Sequence, residues 1–189
     1  AGELAVCRFV HARAPWQLCA ADSGGVTPMS IACTMGQLEV AEWLLEQGAA
    51  EDLRTPSHEG KTPMFFACGM GHLKVAQWLF RMGAAEDARE ACITTGRDPL
   101  FMAAMNGRFL VVRWLVETLE AVPSWPEQSL DPRSAEKKTG AALSWPPLDA
   151  ACLGGNYEIA LWLILRAVEH LLRVQRGEAG GEGSPPAPL

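Results

Sequence analysis

TPMFFACGMGHLKVAQWLFRMGA, running from Thr62 to Ala84, decides the fold. Thr62 suits a helix cap, and Pro63 suits the first helical position, where its missing N–H removes no hydrogen bond. The small pair Ala67 and Cys68 lets a neighbouring helix approach closely. Gly71 ends the first helix, a second helix bearing Trp78 follows, and Gly83 closes that one in a left-handed cap. The stretch reads helix, tight turn, helix.

The same anchors recur along the chain as Pro28, Gly36 and Trp43; Pro99, Gly107 and Trp114; and Pro147, Gly155 and Trp162. The units are TPMSIACTMGQLEVAEWLL from Thr27, DPLFMAAMNGRFLVVRWLV from Asp98 and PPLDAACLGGNYEIALWLI from Pro146. Spacing is constant within units while the gaps between them vary, which is the signature of a stacked array. Second helices carry one apolar stripe, for example Leu38, Val40, Ala41, Leu44 and Leu45. The four recurring tryptophans sit at core spacing on them.

This pattern resembles the ankyrin-repeat family, whose TPLHxAAxxGHLEVVxxLLxxGA is nearly reproduced from Thr62 to Ala84. The resemblance covers roughly residues 2 to 173 and implies an all-α solenoid, a stack of helix-turn-helix units with hairpin-like loops. The GAAED segments, Gly48 to Asp52 and Gly83 to Asp87, resemble those of such arrays in unicellular algae. The family's TPLH histidine bridges neighbouring loops, but its place is taken here by Ser30, Phe65, Phe101 and Asp149. Weaker hydrogen bonding between repeats is expected, with Phe65 and Phe101 packing instead.

Seven segments are expected. Residues 1–24 hold the second helix of a partial repeat, with Gly2, Leu4, Val6, Phe9 and Val10 in register with Gly36, Leu38, Val40, Trp43 and Leu44. Residues 25–59, 60–95 and 96–116 are repeats, 117–145 an insertion, 146–176 a C-terminal capping repeat and 177–189 a flexible tail. Anchor prolines are 35, 36 and then 48 residues apart, against about 33 in the family. Pro123, Pro126 and Pro132 exclude one continuous helix across the insertion. Its Trp125 and Trp145 either touch a partner or tuck against adjacent helices. On the last helix Arg166, Glu169, His170, Arg173 and Arg176 are expected to face solvent, as a terminal cap requires.

Bulk composition narrows the partners. Of 189 residues 49% are apolar, and the net charge is -6 with 16 scattered basic residues. No basic stripe is present to release counterions, so nucleic acid is not expected. No apolar run is long enough for a membrane span, although association with a membrane-protein complex stays open. The opening AGELAVCRFVHAR lacks an initiator Met and signal-peptide regions, so an original targeting segment need not show. Cys33, Cys68 and Cys152 share one repeat position and are expected to be small, buried, reduced side chains. That fits an intracellular reducing compartment or organelle interior, cytoplasmic by default.

Ankyrin-like arrays recognise partners through exposed first-helix positions and loop tips. The resemblance places Ile31, Met35, Phe66, Met70, Met102, Met105 and Leu153 on that inner side, an apolar ridge where polar residues are usual. Arg54, His58 and Arg89 are rim contacts from the loops, and Trp125 joins them from the insertion. The ridge either holds a protein partner, in a hetero-complex, or belongs to the core between repeats. No HExxH, paired CxxC, phosphate loop or GxSxG is present, and His11, His58, His72 and His170 form no ligand set. No catalytic residue, metal or cofactor is expected, and Asp98 reads as a helix cap. The reading is a non-catalytic scaffold for a protein partner. The alternatives are a permanent accessory subunit of a large assembly and the regulatory portion of a longer enzyme.

Overall fold

The computed structural model describes residues 2–13, 19–120 and 147–176. The helices are α1 Gly2–Arg13, α2 Pro28–Thr34, α3 Leu38–Glu46, α4 Pro63–Met70 and α5 Leu73–Leu79, then α6 Pro99–Met105, α7 Phe109–Glu120, α8 Pro147–Leu153 and α9 Tyr157–Gln175. Their caps are the expected ones. The Thr27, Thr62 and Asp98 side chains accept hydrogen bonds from the backbone N–H of Ser30, Phe65 and Phe101, the last at 2.6 Å. Pro28, Pro63 and Pro99 each occupy the first turn.

The four short helices α2, α4, α6 and α8 pack side by side in one row. Small side chains permit this: Ala32, Cys33, Ala67, Cys68, Ala103, Ala104, Ala150 and Ala151 are all buried. The second helices form the other layer, with Val40, Ala41, Leu44, Val75, Ala76, Leu79, Val111, Val112 and Leu115 filling the space between. Trp43 and Trp78 are buried, while Trp114 and Trp162 are half-buried. The latter two meet Phe80 and Phe109 of the preceding repeats edge-on, at 5.6 and 5.8 Å.

Repeats are also joined by a ladder of polar contacts at the turns. The imidazole Nε2 of His72 lies 2.9 Å from the carbonyl of Thr34. Asn106 donates to the carbonyl of Gly69 at 2.8 Å. Asn156 donates to those of Ala104 and Met105 at 2.9 and 2.8 Å. These bonds come from the turn and not from the TPLH position, so the repeats are joined by polar contacts even where that histidine is replaced. Glycine makes room for them. A Cβ on Gly36 would lie 2.4 Å from the His72 ring, and one on Gly107 would lie 2.7 Å from the Asn156 amide oxygen. Both glycines also have positive φ.

Four further features bear on the expectations, and the first keeps the all-α stack with hairpin-like loops. The loops contain no strand among the described residues. The loops at 57–61 and 92–97 each close on two backbone bonds, Ser57 N–H to Lys61 O with Gly60 N–H to Ser57 O, and Cys92 N–H to Arg97 O with Gly96 N–H to Cys92 O. Short helical turns, Glu51–Leu53 and Glu86–Ala88, precede them. Second, α7 runs on to Glu120 with Val116 and Leu119 buried, so the third repeat extends beyond residue 116. Third, Cys33 and Cys68 are buried but Cys152 is exposed, because no repeat among the described residues covers that side of α8. Fourth, α9 exposes apolar side chains beside its polar ones. Arg173 and Arg176 face solvent, but Tyr157, Leu161, Ile164, Leu165, Val168 and Leu172 do so too. Arg166 is half-buried, over the Trp162 ring and paired with Glu169. No described helix is long and apolar enough to cross a membrane.

Candidate functional site

The inner face is set by the register of the short helices. Each first helix turns its small residues toward its neighbours, which leaves the fourth and eighth positions, counted from the anchor proline, facing outward. Ile31, Phe66 and Met102 share the fourth position, and Met35 and Met70 the eighth. Ile31 is 50% exposed, Met35 63% and Met70 46%. Phe66, Met102 and Met105 are half-buried, with the two methionines packed partly against the core. In the third repeat the eighth position is Asn106, whose amide is turned back to the Gly69 carbonyl, and the apolar side chain shifts one place to Met105. The fourth position ends at Ala150, which is fully buried, while Leu153 beyond it is 68% exposed. Ile31, Met35 and Met70 thus stand open, and Phe66, Met102 and Met105 offer one side each.

Polar loop residues near this face are already engaged. The Arg54 guanidinium donates through Nε to the buried Asp87 at 2.9 Å and through a terminal nitrogen to Glu86 at 3.0 Å. It latches its own loop to the next repeat. Arg89 donates to the Leu119 carbonyl at 3.2 Å. The backbone of His58 donates to the Gly24 carbonyl, and its ring, against Gly25, is exposed. The Cys92 thiol donates to the Glu59 carbonyl at 3.0 Å. The loops therefore stack one on another as the helices do. Trp125 lies outside the described residues.

Charges in this latch differ between repeats. Asp87 has Arg54, but at the matching place the partner of Asp52 among the described residues is the Cys19 thiol. Burial raises the Asp52 carboxyl above its ordinary range, and the bond from Cys19 offsets part of that. One oxygen of each aspartate is buried without a hydrogen bond. Burial also pushes the Cys33 thiol up to about 12 and the Cys68 thiol further, so both are neutral small hydrophobes. For Cys92 burial is outweighed by hydrogen bonds from Thr94 and Thr95, which lower it. No group of three or more His, Cys, Asp or Glu side chains able to hold a metal occurs among the described residues.

Sequence reasoning did not anticipate the latch or the turn ladder. The signal for the latch was present in the equal spacing of Cys19, Arg54 and Arg89, each one repeat apart, against the paired aspartates of GAAED.

The family described as Ankyrin repeats (3 copies) matches residues 2–90, and that described as Ankyrin repeat matches residues 95–123. Together they span well over half of the chain. No curated protein matches it.

Proposed function

Because this chain belongs to the ankyrin-repeat family, we propose that it is a non-catalytic scaffold whose apolar inner face holds a protein partner. The observation that supports this most is the row of open side chains on successive short helices: Ile31, Met35 and Met70, flanked by half-buried Phe66, Met102 and Met105. Fully burying a side chain of this size is worth about 1.5–3 kcal/mol. Several together offset an association cost of roughly 4–15 kcal/mol. A rigid stack presents them with little further loss of freedom, since each sits on a helix packed into the array. Apolar rather than charged contacts favour a long-lived hetero-complex over steered, fleeting encounters.

The test is site-specific. A photo-crosslinking amino acid is placed at Met70, or at Glu42 on the outer helix layer, and the chain is expressed in its own cells. Cross-linking from position 70 to one protein of defined mass, absent from position 42 and lost when Met35→Asp is added, is the expected result. Equal cross-linking from both positions, or none from position 70, removes the inner face as the binding surface. The Met35→Asp substitution should leave stability within about 0.5 kcal/mol, as exposed sites do. A larger loss would place that side chain in the core instead.

A further inference from the structure

We infer that α9 is a dimerisation helix and that two copies of this chain pair through it in antiparallel register. The inference stands apart from the inner face, because the surface concerned lies on the other layer. At 100° per residue, Tyr157, Leu161, Ile164, Leu165, Val168 and Leu172 fall in one stripe about 100° wide. All six are exposed. Ile159, on the opposite side of the helix, is buried in the array, as is Ala160 beside the stripe.

Only part of this stripe faces where a further repeat would stack: Tyr157 and Ile164 hold the positions of Phe109 and Phe80, which meet the next repeat's tryptophan, but Leu161 and Leu165 do not. Leu161 occupies the unit position held by Glu42, Gln77 and Arg113 in the other repeats, and Leu165 that held by Glu46, Arg81 and Glu117. The charged residues among these are exposed, so those positions mark the outward side of the second-helix layer. Only in the last repeat has that side become apolar.

Its spacing identifies the occupant. The six positions are symmetric about the midpoint between Ile164 and Leu165. Laid against a second, antiparallel copy, Tyr157 meets Leu172, Leu161 meets Val168 and Ile164 meets Leu165, so every apolar side chain faces another. A two-fold interface requires that self-complementarity. Charge complements it: Glu158 lies in the first turn and Arg173 in the last. Both are exposed, and antiparallel pairing sets Glu158 close to the second copy's Arg173. Parallel pairing would put like charges together.

Sedimentation equilibrium of the full chain under reducing conditions, over a range of concentrations, tests this. The expected result is a reversible dimer. Leu161→Asp with Leu165→Asp should weaken it at least about 100-fold, since each change counts twice across the two-fold axis, with far-UV circular dichroism unchanged. Glu158→Arg should weaken it further than Glu158→Gln, and Glu158→Arg with Arg173→Glu should restore it. A monomer at every concentration overturns the inference, and leaves the stripe to another part of the same chain or to a foreign protein. So does a dimer indifferent to the leucine substitutions, or a charge reversal without rescue.

Discussion

Asp52 and Asp87 occupy the same place in successive loops and meet different partners, which makes them a matched pair for one experiment. Asp87 faces Arg54, while among the described residues Asp52 faces the thiol of Cys19. Replacing Cys19 with Arg should supply the missing latch and raise the melting temperature at neutral pH by roughly 2 °C, a small shift because one partner remains solvent-facing. The pH dependence has a definite sign. In the native chain burial raises the Asp52 carboxyl, so its contribution to stability is fullest below the ordinary carboxylate range and is lost as pH rises through the folded value. A guanidinium at position 19 pulls the folded value down, so the gain exists above that range and disappears as pH falls. Melting curves of both chains near neutrality and near pH 3 should separate in the first case and coincide in the second. A gain that survives in acid would mean the new side chain acts by packing.

Among elements, the second helices and the turns contribute differently. Trp78 is buried and sits in the central core, so Trp78→Ala should cost about 3–5 kcal/mol in denaturant unfolding. A loss below about 1 kcal/mol would mean that the site collapses around the cavity. Gly36→Ala tests the turn ladder. A methyl there is strained by the positive φ and is driven into the His72 ring, so a loss of more than about 1 kcal/mol is expected. Much of this was legible beforehand. Thr-Pro at helix starts, glycine at turns and the paired small residues encode local geometry, and local geometry fixes the units. The turn ladder was not legible, because His72, Asn106 and Asn156 differ in type and bond to carbonyls of the preceding unit. Nor was the exposure of α9: a stripe of Leu, Ile and Val reads as core until the layer it faces is known. Cys152 misled for a related reason, since its register matches Cys33 and Cys68 while the surface that would bury it is not among the described elements.

For the whole molecule, a stack in which each unit touches only its neighbours should lose structure from particular interfaces rather than all at once. The α8–α9 unit is held to the rest chiefly by α8 against α6, by Trp162 on Phe109 and by the two bonds from Asn156. Asn156→Ala removes both bonds; the Ala104 carbonyl keeps the Gly107 N–H, while the Met105 carbonyl loses its side-chain donor, at a cost of about 1–2 kcal/mol. If coupling is nearest-neighbour, that cost falls on one interface. Amide hydrogen exchange in α8 and in the first turns of α9 should then accelerate by roughly 5- to 30-fold, with α2 and α4 unaffected. The buried thiols give an independent readout from the far side of the stack: Cys33 and Cys68 should stay protected from alkylation in the variant, as in the parent. Acceleration spread evenly over α2, α4 and α8, with Cys33 labelled alongside, would show that the array opens as one cooperative body. The inner face would then be presented whole or not at all, and a partner bound across Ile31, Phe66 and Met102 would stabilise every repeat equally instead of those it touches.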